Sequence, residues 1–329
     1  MDLVDTLRKK IDVLDEGEYV PGLRAVLLHI ETAFRHLSRG QETDDETAFT
    51  DAIYRTNQAF EGSIKEAYRV FARQDPSKKR PYDIENYLEQ NNVFRNRVLS
   101  QLTTYRTEWR NPSAHDYKLD FDESEAFLAI VSVSAFACLL LDQIAERLAF
   151  ASAQAEAEAK KAELETNLAQ TANAGLLVRS IELLNQFCAT HLSSPTFPGR
   201  ATESQAIGAL HGFLASAAPE VNVQTEVRLD AERPFRADLI VTHEDERVVI
   251  EIKRHMMPKN YANAVAQVEH YLLISGIKNG ILLFLPDVPG EMERLDANVS
   301  GIDGRLVVLS PMGSNPSLNR PVSGRPSPS

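Results

Sequence analysis

Apolar residues recur at helical spacing through the first 150 positions. Val26, Leu27, His29-Ile30 and Phe34 make one stripe, and Ile53, Phe60, Ile64, Ala67-Tyr68 and Phe71 make a longer second one. Pro81 opens a third, which runs from Ile84 to Trp109 through Tyr87, Leu88, Val93-Phe94, Val98 and Leu102. Arg110 to Phe121, with Asn111-Pro112-Ser113, interrupts the periodicity, and a fourth helix is predicted from about Glu123 to Phe150. Ala149 to Ala174 is rich in alanine, glutamate and lysine with few large apolar residues, which predicts an exposed spacer helix. Leu176 to Phe187 is more apolar and helical, and His191 to Gly199 reads as a loop.

The pattern changes at Ala201. A helix from Glu203 to Ala215 precedes three alternating segments, Val221–Leu229, Ala237–Thr242 and Arg247–Lys253, which predict strands. A helix from about Asn260 to Ile274 follows, then strands at Gly280–Leu285 and Gly304–Leu309. Met312 to Ser329 is built from Pro, Ser, Gly and Asn and predicts a disordered tail. The chain therefore divides into an all-α domain (1–150), a helical spacer (151–200), an α/β domain (201–311) and the tail (312–329).

Composition narrows the classes. The 329 residues are 43% apolar and 25% charged, which suits folded domains and excludes wholesale disorder. The net charge is −12, divided as −7 over residues 1–150 and −5 over 151–329, so neither half has the basic surface of a non-specific nucleic-acid coat. Contact with nucleic acid must then be local. Two cysteines, Cys138 and Cys188, build neither a disulfide framework nor a four-ligand zinc site. Met1-Asp2-Leu3-Val4-Asp5 lacks a basic stretch followed by an apolar one, and the most apolar window, Ala129 to Leu141, is short and contains Ser132 and Ser134. These features predict a buried helix, no membrane span and a reducing, cytoplasmic setting.

Glu251-Ile252-Lys253 ends a strand. Side chains alternate faces along a strand, so Val248, Ile250 and Ile252 point to a core while Glu251 and Lys253 lie side by side on the other face. A turn at His243–Glu246 pairs this strand with the preceding one and brings Asp238 near Glu251. Two carboxylates and a lysine around a hard cation suit metal-assisted phosphodiester hydrolysis. Thr202-Glu203-Ser204-Gln205 has the spacing of a capping box, and Glu203 heads the stripe Ile207, Leu210, Leu214, so it is expected to face inward. Gln267 and Tyr271, four apart, share a face next to the stripe Val265, Val268, Leu272. A Glu-x-Lys alone is an ordinary surface ion pair; it is the conjunction of five elements in order that points to a site.

Glu203, Asp238, Glu251-Ile252-Lys253 and Gln267-Val268-Glu269-His270-Tyr271 resemble the PD-(D/E)xK nuclease superfamily, and the Gln-x-x-x-Tyr element resembles its RecB-like branch. The resemblance spans about residues 201–287. It implies a restriction-endonuclease-like mixed sheet flanked by helices and magnesium- or manganese-dependent cleavage of phosphodiesters, with DNA the favoured substrate. Asp238, Glu251 and the Ile252 carbonyl would hold the cation, and Lys253 would serve the attacking water. Glu203 would support the metal waters, and Gln267 and Tyr271 the lysine or the nucleic-acid backbone. One position departs: Ala237 stands where the family carries proline.

A second constellation lies in the first half. Arg110-Asn111-Pro112-Ser113-Ala114-His115-Asp116-Tyr117 falls where the periodicity breaks, which would set Arg110 and His115 at adjacent element ends. An arginine fork for phosphate oxygens and a histidine able to move a proton can cleave RNA through its 2′-hydroxyl without metal. The segment resembles the HEPN family of helical ribonuclease domains, whose motif is Arg, four to six residues, then His. Asn111 and Tyr117 match common forms of that motif, and Glu61 would be the polar residue near the site. The resemblance implies catalysis by Arg110 and His115, RNA contacts from Arg110, Asn111 and Tyr117, and a homodimer through the helical domain. The two domains in company resemble prokaryotic antiphage defence or toxin effectors, which implies an antitoxin or activator protein as partner. The rival expectations are a nucleic-acid-binding and dimerisation protein with an inactive nuclease fold, and a metal-independent ribonuclease acting through the HEPN-like domain only.

Overall fold

In the computed structural model, residues 2–115, 118–171, 173–191, 201–230, 232–254, 258–286, 290–299 and 303–313 are described, without the side chains of His115, Pro258, Lys259 and Asn298. The chain forms two compact units, residues 1–147 and 148–329. Helices make up the first, and a mixed six-stranded sheet forms the middle of the second.

The first two predicted stripes become α2 (Tyr19–Thr43) and α3 (Thr47–Ala72). They pack as a hairpin because Leu23, Val26, Leu27, Ile30, Ile53, Phe60 and Ile64 all fall on the facing sides. The preceding helix α1 (Leu3–Asp12), absent from the sequence reading, buries only Leu7 and Ile11 and is capped by Asp2, which accepts the Val4 N–H at 3.0 Å. The single long helix expected over 84–109 is two helices, α4 (Pro81–Gln90) and α5 (Asn96–Tyr105). Asn92 breaks them by taking a left-handed φ of 49°, which asparagine tolerates.

Conversely, the expected break after Arg110 starts late. Arg106–Arg110 is a π-helical turn and Asn111–His115 continues helically as α6. The wider turn, closed by Asn111 N–H to the Arg106 carbonyl, lets helical backbone pass Pro112. The last long helix, α7, runs from Glu123 to Ala159, well beyond the apolar window read from the sequence. Among the described residues it alone is long and apolar enough by length and composition to cross a membrane, and half of its most apolar stretch is buried. Ala126, Ala129, Ile130, Val133, Phe136, Leu140 and Ile144 form that buried side.

The predicted spacer also has a buried side. Ala153 and Ala157 at the end of α7, and Leu164 and Leu168 of α8 (Lys161–Leu168), enter the core of the second unit. Ala155, Ala159, Ala162 and Ala169 are exposed, as its composition predicts, while these four residues are its buried side. With α9 (Leu176–Gln186) and α10 (Glu203–Ala217) they cover one face of the sheet. Strands β1 (Asn222–Arg228), β2 (Arg236–His243), β3 (Glu246–Lys253), β4 (Asn279–Phe284), β5 (Met292–Asn298) and β6 (Arg305–Pro311) lie in the order β1-β2-β3-β4-β6-β5. The β3–β4 and β4–β6 pairs are parallel and the others antiparallel. Val248, Ile250, Ile252, Leu239 and Val241 join the first face, as the alternation predicts. Ile240, Val249, Leu282 and Val308 point to the other, against Ala264, Val268 and Leu272 of α11 (Pro258–Ser275). β5 escaped sequence reading because it is an edge strand: it pairs only with β6, and Arg294 and Asp296, exposed and ion-paired at 2.7 Å, break its apolar alternation. The reading of 312–329 as a disordered tail falls almost wholly on 314–329, outside the described residues.

Helix α10 approaches the end of α7 so closely that a Cβ on Gly212 would meet the backbone carbonyl of Phe150 far inside van der Waals contact. Glycine to alanine within a helix ordinarily gains about 1 kcal/mol. Here the obstacle is backbone and cannot rotate away. Gly212→Ala is therefore expected to destabilise the protein by about 1–3 kcal/mol, read as a lower urea midpoint; an unchanged or higher midpoint would contradict this packing.

Candidate functional site

The β2–β3 ladder holds its register to the Leu239–Ile250 pair and then gives way. Beyond it, side chains take over the backbone bonds. The Ile252 N–H donates to Asp238 Oδ2 at 2.7 Å, and the Asp238 N–H to Glu251 Oε2 at 3.4 Å. The two strands are thus held together at this end by an exchange of carboxylates. Leu285 N–H donates to the Lys253 carbonyl at 2.8 Å, so the Lys253 backbone faces β4. Backbone groups of neighbouring strand residues point to opposite edges, which turns the Ile252 carbonyl toward β2 and Asp238.

Glu251 is the hub. Its Oε1 accepts both the Lys253 ammonium at 2.7 Å and the Gln267 Nε2 at 2.8 Å. The same Gln267 nitrogen lies 2.6 Å from the Tyr271 hydroxyl, one helical turn along α11. Phe235, just before β2, packs edge-on against His270 at 4.8 Å and near Tyr271 at 6.4 Å, which ties the loop leading to Asp238 to the same helix. That residue gave no signal in the sequence, since a lone Phe ahead of a strand reads as core.

Burial sets the electrostatics. Glu251 is 2% exposed and Asp238 9%. Desolvation first, then the charge of Glu251, pushes the Asp238 carboxyl up to about 8, against the pull of the Ile252 N–H and of Lys253. Desolvation raises Glu251 as well, although Lys253 opposes it. Burial alone would lower the Lys253 ammonium, but Glu251, Asp238 and Glu203 hold it above its ordinary value. In the metal-free site Lys253 is therefore held in its charged form. Burial also raises the Tyr271 hydroxyl.

Glu203 differs from expectation. Its capping box is formed, with the Gln205 N–H donating to Thr202 Oγ1 at 3.2 Å and Gln205 Oε1 accepting the Thr202 N–H at 2.8 Å. But Glu203 itself is exposed in the first turn of α10, because the cap turns that position outward from the buried stripe. It acts on the site through its charge, raising Asp238, Glu251 and Lys253.

The donor set suits a hard divalent cation. Asp238 and Glu251 supply carboxylate oxygens, the Ile252 carbonyl faces the same side, and two carboxylates raised together mark negative charge in need of compensation. Among the described residues no cluster of three or more His, Cys, Asp or Glu side chains stands ready for an ion, so a cation here would complete its shell with water.

In the first unit Arg110 closes the π turn. Its guanidinium donates to Asn111 Oδ1 at 3.0 Å and lies 3.8 Å from the Glu61 carboxylate of α3. Asn57 donates to Ser113 Oγ at 2.7 Å, and the Tyr105 hydroxyl, buried with its ring stacked on Phe60, donates to Thr56 Oγ1 at 2.7 Å. These bonds, which the sequence did not announce, fix the helical backbone on α3. Arg110, Asn111 and Glu61 come together. His115 follows in the next helical turn, rather than across a gap between elements, with its side chain outside the described residues, as is Tyr117.

No family model, no curated protein and no solved structure matches the chain.

The raised Asp238 carboxyl carries a stability cost with a definite sign. Below about pH 4 both the folded and unfolded chains hold the proton. As pH climbs toward the folded value of about 8, only the folded chain retains it, so stability falls across that window. Asp238→Asn keeps an acceptor for the Ile252 N–H and removes the titration. In metal-free buffer its melting temperature is expected to gain on the parent as pH rises, by several degrees near pH 8. An offset that stays constant with pH would refute the buried-carboxylate account.

Proposed function

We propose that the second unit is a metal-dependent nuclease of the PD-(D/E)xK type with a restriction-endonuclease-like fold, and that DNA is its favoured substrate. The observation that carries this reading is the buried exchange between Asp238 and Glu251 with Lys253 bonded to it. Asp238, Glu251 and the Ile252 carbonyl would hold magnesium or manganese. Such a cation would supply Lewis-acid chemistry, lowering the pKa of a water and offsetting charge on the phosphate. Lys253 orients that water and neutralises the developing charge, with its ammonium kept protonated by Glu251. Gln267 fixes the rotamer of Glu251, and Tyr271 fixes Gln267. Glu203, exposed in the first turn of α10, would support the waters of that cation.

A second reading concerns the first unit, and the gathering of Arg110, Asn111 and Glu61 at the π turn favours it. It is a HEPN-like domain that cleaves RNA without metal, with Arg110 stabilising the phosphorane and His115 moving the 2′-hydroxyl proton. Together the two units suit a cytoplasmic effector of antiphage defence or a toxin, held in check by an antitoxin or switched on by an activator protein.

One set of incubations tests both. The intact protein, Lys253→Ala and His115→Ala each meet labelled DNA and RNA, with magnesium or with chelator. Cleavage of DNA with magnesium alone, reduced roughly 100-fold or more in Lys253→Ala, is the expected result. RNA cut in chelator and spared by His115→Ala would assign the activity to the first unit instead. Tight binding with no cleavage under any condition would replace both readings with a binding protein.

A further inference from the structure

Residues 53–82 carry seven basic and three acidic side chains, inside a half of the chain whose net charge is −7. The three acids are already engaged. Glu61 lies 3.8 Å from Arg110, and Glu66 and Asp75 both stand by Arg69, at 2.9 and 3.6 Å. Arg80 pairs with Asp83 at 2.9 Å. Among the described residues Arg55, Lys65, Arg73, Lys78 and Lys79 are in no direct ion pair. Arg55, Gln58, Gly62, Lys65, Arg69 and Arg73 follow one another at spacings of three and four, which is one face of α3 over about 27 Å. All six reach solvent.

Arg73 ends α3 with a left-handed φ of 54°, and the chain turns into Lys78-Lys79-Arg80. That run is pinned rather than loose. Pro76 is buried, Asp75 accepts the Ser77 N–H at 3.0 Å, the Lys79 N–H donates to the Pro76 carbonyl at 2.9 Å, and the Tyr68 hydroxyl donates to Gln74 Oε1 at 2.6 Å. Three cations are thus presented by a fixed turn, and the Tyr82 ring, 70% exposed, follows them in the first turn of α4. At the far end of the stripe Tyr54, 52% exposed, stands beside Arg55. Gathering like charges has a cost that Arg147 of α7 registers: burial first, and then the charge of Arg73, lower its guanidinium. We infer that this face is a binding track for single-stranded nucleic acid, with phosphates on the α3 stripe and the Lys78–Arg80 turn and unstacked bases on Tyr82 and Tyr54.

A duplex keeps the faces of its bases stacked on one another, whereas an unpaired base offers its face to an exposed ring, so the two tyrosines favour single strands. Acidic lipid fits less well. A basic segment that enters a membrane surface sets large apolar side chains beside its cations, and along this track the exposed large side chains are the two tyrosines. The inference goes beyond both proposed readings. It uses none of Arg110, Asn111 and His115, and it stands whether or not either unit cuts nucleic acid.

The test is fluorescence anisotropy of the full chain with labelled strands of about 20 nucleotides in chelator. A DNA strand then meets no metal and has no 2′-hydroxyl, so neither proposed cleavage disturbs the reading, and an RNA strand is followed in the His115→Ala background for the same reason. Both single strands are expected to bind. Lys78→Ala/Lys79→Ala/Arg80→Ala should weaken binding about ten-fold and make its log–log salt slope shallower by about two. Tyr82→Leu should weaken it about ten-fold with the slope unchanged. Lys9→Ala/Arg24→Ala/Lys161→Ala, which removes the same charge from other surfaces, should bind as the parent does. All seven of these positions are exposed, so melting should match the parent in each variant. Tighter binding of either the RNA or the DNA strand, lost in the first triple variant, keeps the site and names its strand. Absence of binding, equal weakening by the second triple variant, or duplex held as tightly as single strands with Tyr82→Leu silent, overturns the inference. So does flotation with phosphatidylglycerol vesicles that the first triple variant loses, which would give the face to lipid.

Discussion

The second unit depends on a place where a sheet stops pairing by backbone and begins to pair by carboxylate. A β-ladder that ends inside a protein leaves N–H groups to satisfy, and an unsatisfied one costs as much as a lost hydrogen bond. Here Asp238 takes the Ile252 N–H, and Glu251 takes the Asp238 N–H. The arrangement closes the ladder while bringing two acids together under burial. Lys253 and Gln267 then converge on the acid that is hidden more deeply. Each polar group is needed by another, and α11 supplies the outer members because Val268 and Leu272 seat it on the same sheet face.

That logic explains what could be read in advance. Strand alternation alone separated Ile250 and Ile252 from Glu251 and Lys253, and a short hairpin brought Asp238 to them, because both follow from a period of two. The four-residue spacing of Gln267 and Tyr271 placed them on one helix face for the same kind of reason. Glu203 was misread because two rules compete at a helix start. Its apolar periodicity pointed inward, while the Thr202 cap fixes the first turn and leaves that position to water. The spacer is largely exposed as its composition predicts, but its seat in the core was not legible, because nothing in that composition tells a packed Ala153 or Ala157 from an exposed Ala155 or Ala159.

The first unit shows the opposite limit. Proline with a broken periodicity is the standard sign of a helix end, yet the backbone stays helical from Asn96 to His115 by inserting one wide turn. What stabilises that turn is long-range. Tyr105 anchors its start on Thr56, Ser113 anchors the following turn on Asn57, and Arg110 leans on Glu61, all three partners lying on α3. No window of sequence around Arg110 contains those partners. A π turn held by a buried aromatic and a side-chain network is therefore invisible locally, and it sets where Arg110 stands before the helical turn that leads to His115.

Charge links the two scales. A chain of net −12 does not attract polyanions in bulk. At the candidate site the balance is no better, since three carboxylates, Glu251, Asp238 and Glu203, act together on the Lys253 cation. Without a metal the protein relieves this by keeping Asp238 protonated up to about pH 8. On the proposed reading, proton and divalent cation are alternative occupants of one charge deficit, and taking up the ion expels the proton. On that reading the site would accept phosphate only with the ion bound, and an acidic protein would need no basic surface there: the cation would supply the local positive charge, while the fold supplies two buried carboxylates.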